Sequence, residues 1–288
     1  MLRIAGPTIV SLTLFGWVML LWIGVFLIFS STDNAVLSSS NNQPASSLER
    51  FYFTGYMLST MGNGDFKAGT DILSVFSSFM SFTGLMLITI AISYMVPVLS
   101  AVTQRRALSI KLAAIGGSAQ KIILDNWNGS NLKQLESQLD SLEQDIALQG
   151  QMHLSYPVLQ YFHHNQRATA LFPNIASLDE AISIILLYFP KDLQPGQQHL
   201  NPVRKAITSF LESLNVADPR IAKVEVPPID VGQLQERNLP LLSAKPEDLY
   251  KLENRRKILK VMTEQDGWSW SDAPQTLFNK KLDLPELT

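Results

Sequence analysis

Two glycines separated by a single residue lie in the most distinctive short segment of the chain, Thr60-Met61-Gly62-Asn63-Gly64-Asp65. In an ordinary strand successive carbonyl groups point in opposite directions, whereas residues in the left-handed region reverse this alternation, and glycine enters that region freely. A segment with glycine at alternate positions can therefore direct successive carbonyl oxygens to one side. Several copies of it around one axis would form rings of oxygen atoms that replace the hydration shell of a cation.

Two long uncharged runs flank this segment, Thr8 to Ser30 and Ile72 to Gln104. As a helix the first run is about 35 Å long, which is enough to cross a hydrocarbon core of roughly 30 Å. A cleaved signal peptide is the alternative, but the run is longer than the apolar part of such peptides and no small-residue cleavage site follows it. The second run exceeds a straight crossing, and its hydroxyl side chains suit a helix that faces protein or a water-filled pore. We therefore predict transmembrane helices over residues 8–30 and 72–104.

A short apolar helix is predicted between the two runs. Ser46 and Glu49 have the spacing of a capping box, which marks the start of a helix. Aromatic and apolar residues continue from there to Leu58, so we predict a helix over residues 47–58. This helix is too short to span a membrane and nearly too apolar for water, which is typical of a re-entrant segment shielded by protein. The glycine segment, residues 60–65, follows it directly.

The stretch from Phe51 to Phe66 resembles the pore loop of the potassium-channel superfamily, in which a short aromatic pore helix leads into the pattern T-V-G-Y-G-D. Four residues match this pattern at the same relative positions: Thr60, Gly62, Gly64 and Asp65. Met61 replaces a branched apolar residue, and Asn63 replaces the aromatic residue. A glycine-rich segment alone is a weak signal and could be a mere extracellular turn, but its position between two spans and after a short apolar helix strengthens the resemblance.

The resemblance implies an all-α membrane protein in which four identical chains surround one pore and conduct potassium passively. The ion-binding selectivity filter would consist of Thr60, Met61, Gly62, Asn63 and Gly64. Asp65 would lie at the outer mouth and attract cations. Because Asn63 fills less volume than the aromatic ring of the family, a potassium-selective pore and a pore that also passes sodium both stay open.

Two residues of the second long run are candidates for gating. The family has a hinge glycine in its inner helix about 20 residues after the last filter glycine, and Gly84 lies at that distance from Gly64. Small residues are also common where membrane helices pack, so a packing role for Gly84 is equally open. Pro97 removes one backbone hydrogen bond and can kink the same helix near its end. Because the resemblance covers residues 8–104, we assign residues 1–104 to a pore domain.

The remaining two-thirds of the chain has the pattern of a helical protein. We predict a helical domain over residues 105–215, then a proline-containing linker, a C-terminal helix and a tail over residues 216–288. Spacings of three and four predict an amphipathic helix with the apolar positions Leu132, Leu135, Leu139, Leu142 and Ile146. This helix could pack within the chain or form a four-stranded coiled coil. The apolar run 181–189 is about nine residues long, so we predict a buried helix and not a third span.

The distribution of charge predicts the orientation in the membrane. Of 23 Lys and Arg residues, 20 follow Gln104, and Arg3 precedes the first span. Arg105 and Arg106 stand directly after the second span. Because positive residues favour the cytoplasmic side, both termini are expected in the cytoplasm, and the protein is expected to be a multi-pass protein of the inner or plasma membrane.

Several classes of function find no support in the sequence. The chain has no cysteine, and its formal charge of −2 includes no long basic run, so we expect no thiolate metal site and no nucleic-acid partner. It shows no G-x-G-x-x-G motif after a strand and no nucleophile–base pattern, so we expect no enzyme and no cofactor. Adjacent His163 and His164 point in different directions on a helix, which argues against a metal site. Expected partners are further copies of the chain, membrane lipid and an unidentified cytoplasmic ligand or regulator; the alternative function is a two-span anchor for a helical sensor or scaffold.

Overall fold

The computed structural model describes residues 2–163, 166–214 and 219–270, and these residues are mainly helical. The helices, in chain order, are α1 Leu2–Phe29, α2 Ser47–Leu58, α3 Asp71–Ile115, α4 Ala119–Asp125, α5 Glu136–Ser155, α6 Leu171–Tyr188, α7 Gln197–Ser213, α8 Gly232–Glu236 and α9 Pro246–Gln265. Strands β1 (Val36–Ser38) and β2 (Phe66–Ala68) pair in antiparallel orientation. The prediction of an all-α protein is confirmed, with this short pair of strands added among the described residues.

The chain divides into two compact units. Residues 7–99 form the pore unit, and residues 1–6 together with residues 100–288 form the C-terminal unit. The boundary falls inside α3, which continues as one helix for 45 residues. The predicted pore domain, residues 1–104, ends five residues later than this boundary.

Three of the described helices are long and apolar enough to cross a membrane: Gly6–Phe29 within α1, the whole of α3, and α6. In α6, however, Ile175, Ile182 and Ile185 are fully buried in the core of the C-terminal unit. The sequence prediction gave this helix the right environment but the wrong length, because α6 has 18 residues. Its first half also carries two polar residues, Asn174 and Asp179. Both are buried and bind residues of other elements, so the helix continues through them.

The leucine pattern of the C-terminal unit packs within the chain. All five predicted apolar positions are buried at 0–1% exposure and belong to the core that α5 forms with α6 and α7: Leu132, Leu135, Leu139, Leu142 and Ile146. Burial inside one chain leaves no apolar stripe on this helix for a coiled coil. The intrachain alternative is therefore the one that the structure favours.

Buried ion pairs attach α9 to α6. Asp179 is 1% exposed and accepts from Arg255 Nε at 2.8 Å, while Arg204 Nη1 lies 2.9 Å from the same carboxylate. Arg256 Nη2 lies 2.7 Å from Glu180 Oε1. Because Asp179 and Glu180 are neighbours on α6, two consecutive arginines of α9 bind one site on that helix.

Two further predictions concern residues near the C-terminus. The predicted charged helix over residues 246–264 is α9, whereas the tail falls mostly on residues 271–288, which lie outside the described residues. His163 contacts Asp266, and His164 also lies outside the described residues. Within the described ranges, no group of three or more His, Asp or Glu residues could hold a metal ion.

His199, near the start of α7, contacts two acids on α5. Its Nδ1 lies 2.6 Å from Asp140 Oδ1, and its Nε2 lies 3.6 Å from Glu136 Oε2. The hydrogen bond with Asp140, followed by the charges of Asp140 and Glu136, raises the pKa of His199 above its ordinary value. The folded state therefore favours the protonated ring, and this stabilisation is fully present below the unfolded pKa of about 6.5 and is lost as the pH rises through the raised pKa.

We therefore predict that the stabilising effect of His199 depends on pH. His199→Gln should lower the melting temperature of the purified protein more at about pH 6 than at about pH 9, because only the protonated ring carries the positive charge that the two acids stabilise. Taking the difference between protein and variant at each pH removes the contribution of other titrating groups. A difference that is equal at both pH values would contradict the prediction.

Candidate functional site

The short helix α2 begins where its capping box predicts. Ser46 Oγ accepts a hydrogen bond from the Glu49 amide at 3.5 Å, and the Glu49 carboxylate accepts from the Ser46 amide at 2.7 Å. These reciprocal bonds satisfy two amide groups that the first helical turn leaves without partners. The helix ends at Leu58, and the glycine segment starts two residues later.

Side chains of α1 and of the first half of α2 bind α2 to the chain before it. The Trp22 indole nitrogen of α1 donates to the Phe51 carbonyl and to Thr54 Oγ1, each at 3.1 Å, and its ring stacks on Phe51 at a centroid distance of 4.4 Å. Arg50 donates to the carbonyls of Ala45 (2.8 Å), Thr32 (3.1 Å) and Asp33 (2.8 Å). The helix is thus held against α1 and against the loop that follows α1.

The carboxyl end of α2 lies directly against α3 at Gly84. A Cβ atom built at Gly84 would lie 2.1 Å from the Leu58 carbonyl oxygen, far inside any normal contact distance. Of the two roles open for Gly84, this contact supports packing, while a hinge at Gly84 stays a prediction. Pro97 lies within α3, which remains one helix to Ile115.

Left-handed residues alternate along the segment that follows α2. The φ angles are +59° at Thr60, +59° at Gly62 and +80° at Gly64, whereas Met61 and Asn63 are outside the positive region. The alternation expected from the two glycines is thus present, and it extends back to Thr60. Alternation of this kind turns successive carbonyl groups toward one side of the chain.

The left-handed conformation of Thr60 has a local cause. The Met61 amide donates to the Tyr56 carbonyl at 2.9 Å, and the Thr60 amide donates to the Met57 carbonyl at 3.1 Å. These two bonds form a Schellman motif, in which the residue just past the helix cap is left-handed. Glycine usually occupies that position, so the threonine concealed the motif in the sequence.

A tyrosine of α2 connects two residues of the segment. Asn63 Nδ2 donates to the Tyr52 hydroxyl, and this hydroxyl donates to Asp65 Oδ2 at 3.3 Å. The sequence by itself predicts no such role for Tyr52. The signal that could have found it is the pairing of a missing aromatic residue at position 63 with a tyrosine on the preceding helix.

The chain after the segment is held by backbone contacts. The Tyr56 hydroxyl donates to the Phe66 carbonyl at 2.8 Å and accepts from the Phe66 amide at 3.2 Å. The Ser39 amide donates to the Asp65 carbonyl at 2.9 Å, next to the β1–β2 pairing. The segment is therefore fixed at both ends, while residues 60–65 themselves are all exposed in a single chain.

Two long apolar helices, with a short capped helix and an alternating loop between them, define a membrane protein of the pore-loop class. Residues 9–101 match the model of a family described as ion channel, of the two-transmembrane, potassium-channel-like type. The Bacillus subtilis (strain 168) uncharacterized membrane protein YdjJ is 29% identical over 280 residues, which are 96% of this chain and 82% of the relative. No solved structure matches the chain. The similarity to the relative therefore extends through the C-terminal unit, whereas the family match covers the pore unit.

The contact at Gly84 predicts the effect of one methyl group. Gly84→Ala should lower the stability of the purified protein by about 1–3 kcal/mol, because the new Cβ must displace the end of α2. A matched control is Gly24→Ala, in α1, where a Cβ would meet no atom within 4 Å in the chain. Thermal unfolding in detergent should show a lower melting temperature for Gly84→Ala than for Gly24→Ala, and equal melting temperatures would contradict the close approach.

Proposed function

We propose that four copies of the chain form a channel that conducts potassium passively across the membrane. The ions would bind along Thr60, Met61, Gly62, Asn63 and Gly64, with Asp65 at the outer mouth. The single observation that carries the proposal is the alternation of left-handed residues at Thr60, Gly62 and Gly64, in a loop between two apolar helices. This backbone conformation is the one by which an extended segment turns its oxygens to one side.

Assembly follows from the incompleteness of one chain. A dehydrated cation needs oxygen ligands on all sides, and one segment supplies them on one side only. Residues 60–65 are exposed in the single chain, and Met61 has 57% of its surface accessible. Neighbouring copies would complete the rings of oxygen and cover this surface.

Electrostatics favours a cation at both ends of the loop. The carboxyl end of α2 carries a partial negative charge, and the chain enters the loop directly from it. At the other end the Asp65 carboxylate, held by the Tyr52 hydroxyl, adds a full negative charge. Negative charge at both ends of the loop attracts cations and repels anions, so the loop suits cation transport.

The membrane location and orientation belong to the same proposal. Large apolar residues are exposed along α1 between residues 12 and 27, which suits contact with lipid: Leu12, Phe15, Leu20 and Leu27. The basic residues Arg3, Arg105 and Arg106 favour a cytoplasmic location for both termini, which we propose for a protein of the inner or plasma membrane.

A channel that passes sodium as well as potassium is the second candidate, and Asn63 is the observation that favours it. The amide reaches the Tyr52 hydroxyl, but it does not fill the volume of an aromatic ring. With less side-chain volume packed behind the loop, the oxygen rings are held less firmly at one diameter. Discrimination between potassium and sodium would then be weaker.

Rubidium uptake into liposomes that contain the purified protein tests conduction. We expect uptake that external potassium and barium reduce, and a solution mass of roughly four times 32.1 kDa by light scattering. Gly64→Ala should abolish uptake, because φ at Gly64 is +80° and an alanine there is strained. The matched control is Gly129→Ala, at φ +90° in the C-terminal unit and equally free of close contacts, which should conduct normally. Absence of uptake by the unmodified protein, or normal uptake by Gly64→Ala, would favour the membrane anchor over the channel.

Selectivity is predicted to depend on the hydroxyl behind the loop. Tyr52→Phe removes the group that binds both Asn63 and Asp65, so we expect a lower potassium-to-sodium permeability ratio, measured as a shift in the bi-ionic reversal potential across a planar bilayer. Asn63→Asp should shift the potential in the same direction, because a carboxylate cannot donate to Tyr52. Tyr250→Phe is the control, since Tyr250 is 77% exposed in the C-terminal unit. If the potential is unchanged in both test variants, this hydrogen-bond network does not determine selectivity.

A further inference from the structure

The last turns of α3, residues 100–115, form part of the core of the C-terminal unit. Leu108 and Leu112 are 3% and 2% exposed in that core. Ser109 Oγ donates to the Ala168 carbonyl at 3.0 Å and accepts from Asn174 Nδ2 at 2.8 Å. We call residues 100–115 the foot of α3. The helix α3 is continuous from the pore unit into the C-terminal unit, so the foot and the pore-unit segment belong to the same helix.

Arg105, in the first turns of the foot, has a buried guanidinium group. Its Nη1 donates to the Leu159 carbonyl at 2.7 Å, and its Cζ lies 5.1 Å from the centre of the Phe172 ring. The charge is 3% exposed, so it is removed from water almost completely. A buried guanidinium group requires a negative partner nearby.

That partner is Asp266, the residue that caps the carboxyl end of α9. Its side chain is 2% exposed, and its Oδ1 lies 3.8 Å from Arg105 Nη2 and 2.8 Å from His163 Nδ1. Within the described part of the chain, neither Arg105 Nη2 nor Asp266 Oδ2 makes a hydrogen bond. The two charges are thus close in a dry environment without direct hydrogen bonding, so a small displacement of either helix changes their interaction strongly.

The middle of α9 is bound independently. Arg255 and Arg256 hold it to Asp179 and Glu180 on α6, as described above. The helix α9 therefore extends from α6 to the foot of α3, with charged contacts at both places. Loss of the contact with Asp266 would leave α9 attached to α6 and release only its hold on α3.

We propose that Asp266 and Arg105 form a latch, through which α9 holds the foot of α3 and sets the equilibrium between the open and closed pore. The effect on the pore rests on the proposed channel function, whereas the hold on the foot does not. Two histidines also face the latch. His163 shares the Asp266 carboxylate, and burial, followed by the charge of Arg105, lowers the pKa of His153, so His153 is neutral near neutral pH.

Single-channel recording of a double-mutant cycle at about pH 8, above the ordinary histidine pKa, tests the latch. Asp266→Asn and Arg105→Gln should each change the open-to-closed ratio in the same direction, by about 5- to 150-fold, the usual range for coupling between sites. The double variant should change the ratio no further than the larger single change, because both substitutions remove one interaction. The control is Glu253→Gln on the same helix, whose side chain is 45% exposed and pairs with Lys257, and it should gate normally.

A spin label on the foot gives a readout that does not require conduction. Since the chain contains no cysteine, Ile110→Cys provides a single labelling position on a partly exposed part of α3. We expect Asp266→Asn to increase the mobility of the label and Glu253→Gln to leave it unchanged. Unchanged mobility in Asp266→Asn, or additive changes in the gating ratio, would overturn the latch. If no variant and no unmodified protein conducts, the channel function fails while the label still decides whether the latch exists.

Discussion

The close approach of α2 to α3 is the constraint on which the rest of the pore unit depends. The Leu58 carbonyl lies so near Gly84 that no side chain fits between the two backbones. Because Leu58 is the last residue of α2, this contact lies where the helix ends and the loop begins. The Schellman motif then sets the direction in which the chain leaves the helix, with Thr60 as the first of the left-handed residues.

Hydrogen bonds from α2 replace, behind the loop, the packing that an aromatic residue supplies in the potassium-channel pattern. The Tyr52 hydroxyl connects Asn63 with Asp65, and the Tyr56 hydroxyl binds both backbone groups of Phe66. A hydrogen bond fixes distance and direction but fills little space. Asn63 therefore changes the means by which the loop is held from behind, and in the proposed channel ion selectivity would be the property most affected by that change.

The C-terminal unit is connected to the pore unit through the helix that they share. The foot of α3 supplies Leu108 and Leu112 to the core of the C-terminal unit, so the helix cannot move there without disturbing a packed interior. The charged contact between α9 and the foot differs in geometry from the contacts between α9 and α6. Asp179 is bound by two arginines, whereas Arg105 and Asp266 approach without a direct hydrogen bond. The weaker contact is the one expected to separate first.

Local patterns in the sequence were sufficient for the elements of the pore unit: the two uncharged runs, the helix that begins after Ser46, and the alternating loop. These features depend on neighbouring side chains and on the conformational range of glycine, which a single sequence records. Only the tertiary structure decided that Gly84 packs against Leu58, that α6 extends over 18 residues, and that Arg105 meets Asp266. Each of these outcomes joins residues distant along the chain, and which surfaces meet is determined by the packing of the whole core, which no local pattern contains.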